Sequence, residues 1–261
     1  MKAMKKHFLF MLSVASLLAA ALLSSCSSSD DDVTGGTDPV KPEPALDHAI
    51  VDLGLPSGTL WATTNVGATS PEGYGDYFAW GETEPYYNGD SQSPLTLTWK
   101  TGKTAGYDWT SYTKFGTYDP SASYHYYGFT KYNVTNGPTI LESADDAATA
   151  NWGSAWRMPT LDEWKELVNN TDHEWATING VNGQKFMKKT DRSVFIFLPA
   201  AGYRSMTYLD DQELYGNYWS SELDGDGSGG AWGLYFDSGR VGPSYYSNRC
   251  GGYSVRPVLA Q

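Results

Sequence analysis

The chain has 261 residues, with 30 acidic and 18 basic side chains and a formal net charge of −12 at pH 7. Phosphate binding requires a basic surface, so this charge argues against nucleic acid as a partner, and it argues equally against electrostatic adhesion to anionic lipid. The 19 tyrosines, 10 tryptophans and 28 glycines indicate a core rich in aromatic rings and a backbone with many turns.

Residues 1–25 have the composition of a bacterial export signal. Three lysines precede an apolar run, Phe8–Leu23, that is too short to span a bilayer comfortably. The sequence LSSC at residues 23–26 resembles the lipobox of bacterial lipoproteins, which implies cleavage before Cys26 and attachment of a diacylglycerol to its sulfur. An ordinary secretory signal with an unrelated cysteine is the alternative.

Residues 26–45 are predicted to be a disordered tether. The run of serine and aspartate at Ser27–Asp32 cannot pack into a core, and Thr34–Pro44 is rich in proline and glycine. Acidic residues just after the cysteine are similar to the surface-export signal of Bacteroidetes lipoproteins, which implies an outer-membrane protein that is lipid-anchored and exposed on the cell surface. Removal of residues 1–25 takes away three lysines and no acid, which leaves a net charge of −15.

Residues 46–261 are predicted to form one α+β domain. With Cys26 lipidated, Cys250 is the only other thiol, so the core must hold this domain together without a disulfide. In chain order, the patterns predict a hairpin over Ile50–Trp61, a strand at Asp76–Trp80, long loops held by aromatic side chains over Pro85–Pro138, and a short helix over Ala144–Trp152.

A second helix is predicted over Thr160–Val168. Thr160 and Glu163 have the spacing of a capping box, in which each side chain satisfies a backbone amide near the helix start. Leu161, Trp164 and Val168 then share one face of the helix. Three strands are predicted after it, at Ser193–Leu198, Asn217–Ser221 and Ala231–Phe236, and Val241 and Tyr253–Val258 complete the C-terminal part.

Six short motifs, in this order along the chain, resemble one known family. They are VDLGLPSGTLWA (51–62), YFAWGE (77–82), WRMPT with EW (156–164), YWSS (218–221), AW (231–232) and SVRPV (254–258). This pattern is similar to the Fibrobacter succinogenes major paralogous domain, a relative of the formylglycine-generating-enzyme branch of the C-type lectin-like fold. The resemblance implies an α+β domain with two short helices, a small twisted antiparallel sheet and neighbouring ends.

The chemistry of these relatives is not expected here. Formylglycine-generating enzymes use cysteine thiols and a metal, whereas Cys250 has no second thiol near it in sequence, and the calcium motifs of sugar-binding C-type lectins are missing. His173 is an isolated histidine between two acids, and Asp224–Gly229 is a better candidate for a hairpin loop than for a calcium loop. Arg157 and Arg256 are expected to pair with acids or carbonyls beside the core tryptophans. We therefore predict no catalytic residue, no metal and no cofactor.

The stretch GPSYYSNRCG, at residues 242–251, points instead to binding. Each of its residues can be encoded by a codon that ends in a pyrimidine, and it resembles the variable region of target proteins of diversity-generating retroelements, which display variable residues on a C-type lectin-like scaffold. The resemblance implies that ten residues face a partner: Gly233, Tyr235, Asp237, Arg240, Gly242, Ser244, Tyr245, Tyr246, Ser247 and Cys250. A loop rich in tyrosine and glycine with no special role is the alternative.

Strand alternation predicts that Gly233, Tyr235 and Asp237 point outward, opposite to Leu234 and Phe236 in the core. The two tyrosines at 245–246 are expected in a loop after Gly242-Pro243. Such a surface is typical of a binding protein, and the expected partner is an unidentified protein or glycan. An oxidase or hydrolase that uses Cys250, and a structural or tip subunit of a surface fibre, remain as alternatives.

Overall fold

The computed structural model describes residues 47–92, 96–103, 106–119, 128–225 and 229–260, which belong to one compact unit, Ala45–Gln261. The predicted export signal and the tether at 26–45 lie outside these residues. The strands are β1 (Ile50–Asp52), β2 (Leu60–Ala62), β3 (Tyr87–Asn88), β4 (Thr98–Trp99), β5 (Trp156–Arg157), β6 (Thr171–Ile178), β7 (Val181–Lys188), β8 (Asp191–Pro199), β9 (Tyr203–Ser205), β10 (Tyr208–Asp210), β11 (Gly216–Leu223), β12 (Gly230–Phe236), β13 (Val241–Asn248) and β14 (Val258–Leu259). The helices are α1 (Ala147–Trp152) and α2 (Leu161–Asn170).

The architecture consists mostly of small antiparallel sheets with few helices, which fits either an α+β or a mostly-β class. The sheets have the strand orders β1-β2-β14-β5, β6-β7-β8 and β11-β12-β13, and two further pairs are β3-β4 and β9-β10. The predicted first hairpin is confirmed, because Ile50 pairs with Ala62 and Asp52 pairs with Leu60. In the described part of the chain, no helix is long and apolar enough to cross a membrane.

Helix α2 begins where the capping box predicts. The Thr160 hydroxyl accepts a hydrogen bond from the Glu163 amide at 3.2 Å, and the Glu163 carboxylate accepts one from the Thr160 amide at 2.8 Å. The helix buries Trp164 completely, with its ring centroid 4.7 Å from that of Trp61. This packing places α2 against one face of the β11-β12-β13 sheet, where the Trp164 indole donates to the Trp219 carbonyl at 3.3 Å.

The first helix is shorter than predicted. Asp146 interrupts the segment, because its carboxylate accepts hydrogen bonds from the amides of Ala148 and Thr149 and so caps α1. A single 3-10 turn, Ser143–Asp145, precedes this cap.

The predicted strand at Asp76–Trp80 is wrong. These residues form only an isolated bridge between Phe78 and Tyr253. The run is apolar because Tyr77 through Trp80 lie fully inside the core, not because it joins a ladder of strands. Within Pro85–Pro138, the described residues are mostly loops held by buried aromatic rings, as predicted, apart from the short pair β3-β4.

The two arginines assigned structural roles have them. Arg157 forms a two-pronged ion pair with Glu163, with both nitrogen–oxygen distances 2.7 Å. Arg256 is fully buried and donates to the carbonyls of Ala62, Thr63 and Phe197 at 2.8–3.1 Å. Burial lowers the pKa of Arg256 to about 10, so it still carries its charge at neutral pH. The Arg256 contacts with Ala62 and Thr63 hold the C-terminal segment beside β2.

Candidate binding cleft

The two consecutive tyrosines lie in a strand rather than in a loop, which corrects the prediction for Tyr245 and Tyr246. In β13, Tyr245 pairs with Gly233 and Tyr246 pairs with Trp232 of β12. The register shifts by one residue between Gly233 and Tyr235, so that β13 holds a bulge at residues 243–244. The bulge accommodates a proline, which lacks the amide that a regular ladder would use.

Neighbouring residues of a strand point to opposite faces, and the ring contacts agree with this rule. The Tyr245 ring lies 5.2 Å from the Tyr235 ring, whereas the Tyr246 ring lies 6.0 Å from the Trp232 ring. Both tyrosines are open to solvent, with 46% of Tyr245 and 62% of Tyr246 exposed. The two tyrosines therefore lie on two different surfaces of the molecule.

A cleft of about 350 Å³ opens on the face that Tyr235 and Tyr245 share. We call it the tyrosine cleft, because six of its lining residues are Tyr107, Tyr203, Tyr215, Tyr235, Tyr245 and Tyr253. Its polar lining includes Asp211, Asn217 and Ser247. The volume lies near the lower end of the range of about 300–1,000 Å³ that is usual for small-ligand pockets.

Three of the rings form a row along the cleft. Tyr235 stands in the middle, 5.6 Å from the Tyr215 ring and 5.2 Å from the Tyr245 ring. Its hydroxyl donates to the Asp237 carboxylate at 2.9 Å, and it accepts from the Arg240 guanidinium at 3.1 Å. Burial raises the pKa of Tyr235, so the phenol stays neutral. The hairpin tip between β12 and β13 therefore holds the central ring of the row in place.

The floor of the tyrosine cleft is buried. The Tyr253 ring stacks on the Trp219 ring at a centroid distance of 4.3 Å, and its hydroxyl shares a short hydrogen bond with Ser247. Cys250 is only 6% exposed, and burial raises the pKa of its thiol to about 12. A thiol with that pKa is almost entirely protonated at neutral pH and is a poor nucleophile or metal ligand.

Two of the ten residues predicted to face a partner are buried. Gly233 lies inside the sheet, where an added Cβ atom would be 2.3 Å from the Tyr218 carbonyl oxygen. Cys250 touches the cleft only from its floor. Gly233 therefore does not lie on the outside as predicted, and Cys250 reaches the cleft only at its floor, because β12 and the Cys250 turn pack closely against the core.

The other eight predicted residues divide into groups. Tyr235, Tyr245 and Ser247 line the tyrosine cleft, and Asp237 and Arg240 form the hairpin tip that supports it. Gly242 precedes the β13 bulge, Ser244 lies in it, and Tyr246 points away from the cleft.

Sequence reasoning missed the other wall of the cleft. Tyr203, Tyr215 and Asp211 come from the segment between β8 and β11, which contains β9 and β10. The segment reads AGYRSMTYLDDQELYG, and its recurrent tyrosines among polar residues were the available signal. The pairing of β11 with β12 sets Asn217 opposite Tyr235, and this places the second wall next to the face that was predicted to bind.

The other candidate sites gain no support. His173 lies in β6, and its Nδ1 atom is 3.3 Å from the Gln184 amide nitrogen. Asp224–Gly229 connects β11 to β12, as a hairpin loop would, although residues 226–228 are outside the described part. Among the residues that the structure describes, no group of three or more histidine, cysteine or acidic side chains could hold a metal ion.

Comparison with known proteins adds one match. Residues 166–258 match the model of a family described as "Domain of unknown function (DUF8237)". This span covers less than half of the chain, but it includes β6 to β13 and every tyrosine of the cleft except Tyr107. The chain matches no curated protein and no solved structure.

Proposed function

We propose that this chain is a lipid-anchored protein of the bacterial outer membrane that binds a protein or glycan ligand at the cell surface through the tyrosine cleft. The observation that carries the proposal is the row of Tyr215, Tyr235 and Tyr245, in which Tyr235 and Tyr245 stand on neighbouring strands and Tyr245 is exposed to solvent. Tyrosine offers a large amphipathic contact area at a low cost in conformational entropy, and for this reason it dominates many binding surfaces.

We assign the domain to a C-type lectin-like fold related to the Fibrobacter succinogenes major paralogous domain. Two short helices, small antiparallel sheets and the pairing of β14 with β2 support this assignment, because that pairing brings the two ends of the domain together. On this fold, the exposed residues of β13 are the natural place for sequence variation. Gly242 has room for a side chain, since the nearest atom to an added Cβ is 3.8 Å away.

Binding is favoured over catalysis by the state of the one thiol that an oxidase would need. Cys250 is buried at the floor of the cleft with its pKa raised to about 12 by burial. An enzyme that uses this thiol would require the thiolate, which that pKa makes scarce at neutral pH.

The binding proposal is tested by a double substitution, Tyr235→Ala with Tyr245→Ala, compared with Tyr246→Ala as the matched control. Purified wild type and variants are applied to a printed glycan array and to intact bacterial cells, and bound protein is quantified. Truncation of hot-spot residues costs about 2 kcal/mol or more each, so the double variant should lose at least tenfold in binding. The control, which points to the opposite face, should bind as wild type.

Equal binding by the double variant and the wild type, with both folded by circular dichroism, would remove the tyrosine cleft from the proposal.

The anchor is tested separately. Metabolic labelling with an alkyne fatty acid should mark the wild-type protein, and Cys26→Ala should abolish the label because the lipobox sulfur is gone. Protease treatment of intact cells should then digest the folded domain. Undiminished labelling of the Cys26→Ala variant would contradict lipidation, and complete protection from protease would place the protein in the periplasmic leaflet.

A further inference from the structure

The tyrosine cleft contains a carboxylate with no partner. In the part of the chain that the structure describes, no ion pair or hydrogen bond holds the Asp211 side chain, although this residue lines the cleft among aromatic rings. Burial is the largest cause of the raised pKa of Tyr203, and the carboxylates of Asp211 and Asp210 add to it. A carboxylate without a partner among the described residues therefore lines a cavity that also holds six tyrosine rings.

The rings themselves favour a positive charge. The face of an aromatic ring carries partial negative charge, so a cation within about 6 Å of a ring centroid is attracted to it. The chain already uses one cleft ring in this way, because the Arg240 guanidinium lies 4.8 Å from the Tyr235 centroid while it also pairs with Asp237. Tyr203 and Tyr253, with centroids 6.0 Å apart, add two further rings to the same cavity.

The one cationic residue in the lining, Arg204, places its guanidinium against residues outside the cleft. The guanidinium of Arg204 lies over the rings of Tyr77 and Tyr87, at 5.2 and 5.0 Å, and donates to the Ser91 carbonyl at 2.6 Å. None of these three partners lines the cleft. Arg204 is 3% exposed, and its strand neighbours Tyr203 and Ser205 point the other way. The lining of the cleft thus combines aromatic rings with one carboxylate, Asp211, and one arginine whose guanidinium contacts residues outside the cleft.

We infer that the tyrosine cleft binds an organic cation, an ammonium or guanidinium group, with the aromatic rings around it and the Asp211 carboxylate against its charge. This inference rests on the proposed function, because it names the ligand chemistry of that same cleft. A cavity of about 350 Å³ has room for one long basic side chain or one small quaternary ammonium compound. The shared chemistry is the cation, and its source is a basic side chain of a protein partner or a free small molecule.

The test compares cations with neutral molecules of the same shape. The purified full-length chain, in a non-ionic detergent, is titrated by calorimetry with choline and with its neutral analogue 3,3-dimethylbutanol. A second pair of probes is N-acetyl-arginine amide and N-acetyl-norleucine amide. The cations should bind at least tenfold more tightly than the neutral analogues. Binding of choline alone would identify a free small molecule as the source of the cation. Binding of the arginine probe would identify a basic side chain of a protein partner.

Variants of the chain separate the cleft from the rest of the surface. Asp211→Asn should lower cation affinity at least tenfold, and it should fold normally because asparagine also tolerates the positive φ of 57° at this position. Tyr245→Ala should lower the affinity as well. Tyr246→Ala should leave it unchanged.

Equal affinity for cations and neutral analogues, or unchanged cation affinity in Asp211→Asn, would overturn the inference. If no probe binds while the Tyr235/Tyr245 double variant still loses binding to cells or glycans, the cation inference fails and the proposed function stands. If choline binds the wild type while the double variant keeps its binding to cells and glycans, the cleft is a cation site and the proposed function fails.

Discussion

The two faces of the β11-β12-β13 sheet share strands but differ in what covers them. On the covered face, Tyr218, Leu234 and Phe236 pack beneath α2 and are at most 1% exposed. On the cleft face, Tyr235 is half-buried and Tyr245 is 46% exposed. Tyr218 and Tyr245 are the same residue type but differ in exposure. The exposed fraction of each tyrosine therefore depends on whether another element packs on its face of the sheet.

The covered face stabilises this sheet, which allows the other face to stay open to solvent. The hydroxyl of Tyr218 donates to the Pro199 carbonyl at 2.7 Å, so even a polar residue is satisfied inside the covered core. The covered face supplies stability, and this permits the cleft face to expose rings that add little to folding. Substitutions on the two faces should therefore separate stability from binding.

The largest effect on stability is expected from Phe236→Ala on the covered face. The Phe236 ring is fully buried, stacks on Tyr218 at 5.8 Å and contacts Trp175 at 6.4 Å. Truncation of a buried phenylalanine costs about 3–5 kcal/mol, because it removes apolar contacts and leaves a cavity. Urea denaturation followed by tryptophan fluorescence measures the loss, and Phe236→Leu should recover much of it. A change below about 1 kcal/mol would show that the Phe236 ring is not tightly packed between Tyr218 and Trp175.

The sequence predicted the elements whose signals are local. The capping box of Thr160 and Glu163 and the turn between β1 and β2 involve neighbouring residues only, and both are found in the structure. The hairpin of β6 and β7 was missed although its signal is also local. Asn179 and Gly180 have positive φ values of 51° and 86° and form the two-residue turn that an Asn-Gly pair favours. The hairpin was not predicted because β6 is rich in polar residues and lacks a clear apolar strand pattern.

The tyrosine cleft was only half predictable, because its walls come from separate parts of the chain. Tyr235 and Tyr245 belong to a stretch whose composition suggests a binding surface, and both line the cleft. Tyr203 and Tyr215 become their neighbours only through strand pairing, which no local pattern reveals. The Gly-Pro pair at 242–243 predicted a loop, whereas a bulge lets β13 continue past the proline.

An intermediate effect is expected from Gly233→Ala, with Gly242→Ala as its matched control. An added Cβ at Gly233 would lie 2.3 Å from the Tyr218 carbonyl oxygen, so the backbone must shift, which costs on the order of 1–3 kcal/mol. At Gly242 the nearest atom is 3.8 Å away, and alanine should be neutral or slightly stabilising. Thermal unfolding of both variants measures the difference. Equal midpoints would restore Gly233 to the set of residues that can vary.

The smallest effects on stability are expected from Tyr245→Ala and Tyr246→Ala. Both side chains stand on β13, at the edge of the sheet, and about half or more of each is exposed, so each truncation should change the free energy of unfolding by no more than about 0.5–1 kcal/mol. Urea titrations of the two variants beside the wild type measure these changes. If the two variants are equally stable, a difference in their binding must come from the face on which each tyrosine stands and not from a loss of folding. A loss of several kcal/mol in Tyr245→Ala alone would mean that its ring, 5.2 Å from Tyr235, holds the row together, and the tyrosine cleft would then be part of the core.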